Sequence, residues 1–316
     1  MFRRLLVPLD GSPFAETALP TALTLARRGE GEIRLLSVID THGDPGGADG
    51  SEMEEYLADA RRRAAAGWYG PITTTVRSGR AAEQIGAELD EWNADLLVIA
   101  THGRSGISRA WMGSVAEQCI HAAHRPVLAI RPPAEPSDAH AGLTLARVVV
   151  PLDGSTQAEA ALPHAVVLAR EFGVPLLLLR AVTPSKPMDF YYLPETIAMS
   201  RELDEEAKER ASAYVQEVVA RLSAAGIEVG GIVTTDVSAQ QAILEHAEGG
   251  LIAMTTRGRG GVGRALLGSV ADKVMRGGGG GLLVVPPAAQ AAKQEEERPP
   301  VPPNVAVIVN ALRTSR

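Results

Sequence analysis

The phrase VPLDGS stands at residues 7–12 and again at 150–155. Each copy is followed by ALP, at 18–20 and 161–163, and each unit later contains GSVA, at 113–116 and 268–271. Self-similarity on this scale means that whatever fold the first unit adopts, the second must adopt as well. The offset is 143 residues at the early landmarks and 155 at the late one, so the second copy carries 12 extra residues between them. The surplus falls in TPSKPMDFYYLPETIAMS, 183–200, and the helical segment after it. Loops accept such insertions at small cost in free energy.

Within each copy, short apolar runs alternate with helix-length segments. In the first copy strands are predicted near 3–9, 32–39, 72–77, 95–100 and 126–130, with helices near 13–28, 51–66, 80–91 and 113–122. In the second copy strands fall near 146–152, 175–182, 227–234, 250–255 and 281–285, with a long amphipathic helix near 201–224. The runs are continuous in Val, Leu and Ile rather than alternating, as in strands buried on both faces, and the spacers are long enough for right-handed parallel crossovers. The expected fold class is therefore α/β: two tandem doubly wound, five-stranded parallel-sheet domains of Rossmann-like type. Domain one spans 1–131, a Pro-rich linker 132–145, domain two 146–287, and a segment that reads as a flexible C-terminal tail covers 288–316.

Several function classes are disfavoured. The formal net charge is −7, without the basic excess that binding to a phosphate backbone demands, so no nucleic-acid partner is expected. Cys119 is the single cysteine, which excludes an intramolecular disulfide and a cysteine-built metal site. No apolar run approaches the roughly 18–20 residues of a membrane span, and MFRRLLVPLD is too short for a secretory signal. The expected location is cytoplasmic.

Two stretches per copy carry chemistry. In a doubly wound sheet, ligands bind beyond the carboxyl ends of the strands, which places Asp10 and Asp153, each following a first strand, at the candidate crevices. An Asp-Gly-Ser sequence also serves as a turn and helix cap, and that structural role stands beside the functional one. The second stretch follows strand four: ATHGRSGISRAWMGSV at 100–115 and TTRGRGGVGRALLGSV at 255–270. Glycine permits close backbone approach, and a helix N-terminus favours an anion, so each loop has the ingredients of a phosphate cradle. Ser114 and Ser269 offer hydroxyls as helix caps or phosphate ligands. Gly258, Gly260 and Gly263 fit G-x-G-x-x-G, but after the fourth strand rather than the first, where the dinucleotide fingerprint belongs.

Taken together, VPLDGS at the start of each copy and the Gly/Arg-rich loop ending in GSVA resemble the universal stress protein family in its tandem form. The resemblance covers about 2–131 and 146–287. It implies a sheet of the adenine-nucleotide alpha-hydrolase-like type that binds ATP, with Mg2+ as its companion ion, and a loop pattern G-x2-G-x9-G-[S/T]. Gly103 with Gly113-Ser114, and Gly258 with Gly268-Ser269, match that pattern; Ala100 and Thr255 stand where its first glycine belongs. The resemblance assigns Asp10 and Asp153 to the ribose or adenine side, and backbone groups of Val38 and Ala181 to adenine. The nucleotide-contacting set it implies is completed by Pro8, His102, Arg104 and Val115 in the first copy and by Pro151, Arg259 and Val270 in the second. It further implies pairing of the two domains as a pseudo-dimer through 126–131 and 281–286, with room for a homodimer of whole chains.

The copies are unequal. Val237 replaces Gly79, and GGGGG at 277–281 replaces the polar segment before the last strand, so the first crevice is expected to be the better binder. Histidine at 102 becomes Arg257 in the second loop, which leaves no shared catalytic base. The expected role is that of a stress-response regulator that binds ATP, with no catalytic residue assigned. A slow ATPase and an interaction scaffold that binds no nucleotide are the alternatives.

Overall fold

The computed structural model describes residues 2–40, 50–66, 68, 70–101, 113–132, 145–183, 194–235, 237–256, 268–277 and 281–286, with backbone only for 194–200. The first copy runs β1 (Arg4–Pro8), α1 (Pro13–Glu16), α2 (Ala18–Gly29), β2 (Glu32–Ile39), α3 (Gly50–Ala65), β3 (Ile72–Ser78), α4 (Ala81–Glu91), β4 (Leu96–Ala100), α5 (Ser114–Ala122) and β5 (Val127–Ile130). The second runs β6 (Val148–Pro151), α6 (Thr156–Glu159), α7 (Leu162–Phe172), β7 (Leu176–Ala181), α8 (Pro194–Ala224), β8 (Val229–Thr234), α9 (Ala239–His246), β9 (Leu251–Thr255), α10 (Ser269–Gly277) and β10 (Gly281–Val285).

Both sets of strands are parallel within themselves, in order β3-β2-β1-β4-β5 and its mirror β10-β9-β6-β7-β8. They fuse into one ten-stranded sheet because β5 and β10 pair antiparallel, Val127 opposite Val284 and Ile130 opposite Gly281. The segments expected to join the halves do so. Successive strand side chains point to opposite faces, so Leu5 and Val7 feed one core cluster while Leu6 feeds the other. Helices α2, α3, α7 and α8 cover the first cluster; α4, α5, α9 and α10 cover the second. Burial of a leucine such as Leu5 or Leu97, both fully enclosed, stabilises the fold by about 2 kcal/mol.

Two predicted boundaries shift for identifiable reasons. The helix expected over 13–28 is two, α1 and α2, broken around Thr17. Pro20 has no N–H to donate back to the carbonyl of Glu16, and Pro163 creates the same break between α6 and α7. The helix expected from 201 begins at Pro194, so part of the insertion is helical rather than loop. Proline at a first helical position loses only an N–H that would be unpaired anyway.

The outer strand β3 has no fully buried residue, and charge fixes it in place. Arg34 of β2 and Arg77 of β3 both bind the carboxylate of Glu88 on α4, at 2.7 and 2.5 Å, and Arg77 also binds Glu91. Glu88 is 2 % exposed, and the Arg34 guanidinium lies 4.5 Å from the Trp92 ring centroid. The second copy has Leu177 in place of Arg34, so this clamp belongs to the first half. Glu88→Ala removes the carboxylate shared by the two guanidinium groups, leaving Arg77 with Glu91 and Arg34 with Thr73, and should lower stability by about 2 kcal/mol, read as a lower denaturant midpoint at unchanged slope. Arg80→Ala, whose partner Glu83 is exposed, should cost less than about 0.5 kcal/mol.

Candidate functional site

Strand order reverses between β1 and β4 in the first half and between β6 and β9 in the second. Adjacent strands there lead to helices on opposite faces, which opens a crevice beyond their carboxyl ends. The chain places Asp10 after β1 and Asp153 after β6, at the two reversal points.

Local geometry at the two aspartates is the same. Asp10 Oδ1 accepts from Ser12 N at 2.9 Å and from Ser12 Oγ at 2.6 Å; Asp153 Oδ1 accepts from Ser155 N and Oγ at the same distances. Each serine then caps the short helix that follows, its Oγ accepting from Ala15 N or Ala158 N at 3.1 Å. Gly11 and Gly154 hold φ of 85° and 81°, which a side chain would strain. The capping role anticipated for the phrase is thus filled by serine. Both aspartates remain only partly buried, and one carboxylate oxygen of each is committed to orienting the turn.

Beside each aspartate the second strand outruns the first. The β1–β2 ladder ends at Pro8 opposite Leu36, followed by a bond from Leu9 N to Leu36 O, so Val38 extends past it. Likewise β6–β7 ends at Pro151 opposite Leu179, and Ala181 lies beyond.

The cradle loops are closed at their bases in matching fashion. Gly113 N donates to Thr101 O at 2.5 Å, and Gly268 N to Thr256 O at 2.7 Å. Gly113, in extended conformation, is the N-cap of α5, and no side chain caps that helix. Of the two roles considered for Ser114, cap or phosphate ligand, the cap falls to Gly113 and Ser114 is the first helical residue; Ser269 likewise opens α10. Ser114, Val115 and Ser269 are exposed, and Val270 is half-buried. Ala100 packs into the inner core cluster and Thr255 is 6 % exposed, so both residues standing in the glycine position turn their side chains inward. His102, Gly103, Arg104, Gly258 and Arg259 lie outside the described residues.

A duplicated cluster flanks the aspartates that sequence reasoning missed. Tyr56 of α3 donates to Glu16 of α1 at 2.9 Å, and Arg63 donates to the same oxygen at 2.8 Å. In the second half Tyr214 donates to Glu159 at 2.9 Å and Arg221 to its other oxygen at 2.6 Å. The signal was present: glutamate four residues past each repeated serine, and tyrosine and arginine seven apart on one helical face in both copies. Burial pushes both phenols well above the usual tyrosine range, reinforced at Tyr56 by Glu16 and Asp10 and at Tyr214 by Glu159. The influence of Asp10 on Tyr56 places that phenol within electrostatic reach of the crevice.

Fold and site together define a duplicated doubly wound α/β protein with one carboxylate-marked crevice per half. The universal stress protein family model matches residues 1–131 and 144–286, and the chain belongs to that family. A universal stress protein of Methanocaldococcus jannaschii is 31% identical over 144 residues, 42% of this chain and 84% of that protein. One of Mycobacterium bovis is 27% identical over 184 residues; the match spans 58% of each, just over half the relative's length. Among solved structures, a Pseudomonas aeruginosa protein described as functionally unknown superposes with a TM-score of 0.67 at 18% identity, covering 93% of this chain and 96% of that one. A universal stress protein of Archaeoglobus fulgidus gives 0.56 at 21% identity, covering 90% and 96%. At such identities these structures speak for the fold alone. Among the described residues no helix is long and apolar enough to cross a membrane.

The tyrosines supply a pH test. A phenol whose pKa is raised by folding keeps its proton longer in the native state, so between about pH 10 and the folded value the native chain binds more protons than the unfolded one. Stability from this source is complete below about pH 10 and falls as pH rises through that window. The double variant Tyr56→Phe/Tyr214→Phe should show a flatter decline of unfolding free energy above about pH 10 than the parent.

Proposed function

We propose that each crevice binds an adenine nucleotide, ATP foremost, and that this member of a stress-response family acts as a nucleotide-dependent regulator, with hydrolysis slow or incidental. The observation that carries this reading is the duplicated pairing, at a point of strand reversal, of an oriented carboxylate with a helix N-terminus opened by Gly-Ser. A carboxylate suits ribose hydroxyls, and helix N-termini suit phosphate oxygens. The inward-facing side chains of Ala100 and Thr255 favour this reading over a scaffold, since replacing glycine there does not by itself fill the space beyond the strands.

Magnesium enters this reading with the triphosphate. Among the described residues no three carboxylate, imidazole or thiol groups converge, and this ion is commonly held by one or two carboxylates together with phosphate oxygens. Asp10 and Asp153 are the carboxylates placed to assist. The same reading puts the protein in the cytoplasm, where ATP is abundant.

Calorimetric titration with ATP should show binding to the parent chain, weakened about tenfold or more at the affected crevice by Asp10→Ala or Asp153→Ala, each removing a charge-assisted hydrogen bond. Gly113→Ala should weaken the first crevice as well, by setting a methyl group at the helix start. Absence of ATP binding to the parent, or binding indifferent to all three substitutions, would contradict the proposal and favour the scaffold.

A further inference from the structure

Among the described residues the two crevices differ at the end of the second strand. In the first half Ser37 is 1 % exposed, and its hydroxyl donates to Leu9 O at 2.5 Å, so that strand end is neutral and closed. The matching residue of the second half is Arg180, half-buried, one position past Leu179, the last residue of β7 paired with β6. Its guanidinium lies 5.2 Å from the ring centroid of Tyr214, the phenol bonded to Glu159. Neighbouring strands are about 4.8 Å apart, so Arg180 stands beside the turn that carries Asp153. A guanidinium carries a planar N–H fork whose geometry matches phosphate.

The surrounding charges differ in the same sense. In the first cluster Arg62 and Arg63 both bind Asp59 and Arg63 also binds Glu16, so with Asp10 two cations meet three carboxylates. In the second, Arg221 binds Glu159 and Arg180 lies by Tyr214 at the strand end next to the Asp153 turn, two cations and two carboxylates. The Nε of Arg221 is moreover buried without a hydrogen-bond partner, a donor lacking its acceptor. The second crevice is the one equipped for additional negative charge.

We infer that Arg180 makes the second crevice selective for a nucleotide whose ribose carries a phosphate in addition to its 5′ chain, a preference the first crevice lacks. The inference rests on the nucleotide reading above and names the ligand class of one of its two sites. Its physical basis is general: in doubly wound dinucleotide-binding sheets an acidic side chain reads a ribose hydroxyl, and a nearby arginine accommodates a ribose phosphate. Here the second strand end, next to the expected ribose carboxylate, carries such an arginine in one copy and a capped serine in the other.

The test uses the full chain with the first crevice disabled by Asp10→Ala, titrated calorimetrically with AMP, adenosine 2′,5′-bisphosphate and adenosine 3′,5′-bisphosphate. One of the bisphosphates should bind about tenfold tighter than AMP, as a charge-assisted bidentate contact implies. Adding Arg180→Ser should bring that ratio to within about twofold of one, whereas Arg180→Lys, which keeps charge but not the fork, should give an intermediate ratio. AMP binding with no bisphosphate preference, or a preference that survives Arg180→Ser, overturns the inference and leaves the nucleotide reading standing. Failure of all three ligands to bind while the parent binds ATP overturns the inference alone; failure of ATP to bind the parent as well overturns both.

Discussion

The antiparallel seam between β5 and β10 is the contact on which the rest of the molecule depends. Four residue pairs, from Val127 with Val284 to Ile130 with Gly281, turn two parallel five-stranded sheets into one continuous ten-stranded sheet. Both seam strands are fully buried, and each would otherwise be an unpaired apolar edge inviting association with another chain. Pairing them internally satisfies those backbone groups and leaves the polar β3 and the glycine-containing β8 as the outer strands. The same seam relates the two crevices by a local twofold axis. Glu117 of α5 and Arg276 of α10, 3.1 Å apart, tie together the two helices whose first residues are the cradle serines.

Much of this was legible in the chain itself. Repetition of VPLDGS and GSVA forced two copies of one fold, and continuous apolar runs such as LLVIA and VLAI identified strands covered on both sides. The break at Thr17 was not legible in the periodicity, because apolar spacing persists across it; the missing proline N–H decides it. The Glu88 clamp was hidden for a different reason. Its members come from β2, β3 and α4, and only the assembled sheet brings Arg34 and Arg77 to one carboxylate.

The site was legible in part. Placing Asp10 and Asp153 beyond first strands followed from a general rule of sheet topology, and their matching turns follow from the Asp-Gly-Ser sequence. The flanking glutamate, tyrosine and arginine were overlooked because each looks like an ordinary helix residue until two helices meet. Comparison of the copies residue by residue changes how the second crevice is understood. It departs from the first not only by carrying Val237 where the first has Gly79 but by gaining a cation at Arg180, a difference of charge rather than of erosion.

The central claim is that two equivalent points of strand reversal each hold a nucleotide by its ribose and phosphates. A crystal structure of the full chain grown with ATP tests it most directly. The account predicts two nucleotides per chain, with ribose hydroxyls on Asp10 and Asp153 and phosphates at the N-termini of α5 and α10. Crystals grown in saturating ATP with no nucleotide density at either crevice, or with density elsewhere on the sheet, would contradict it.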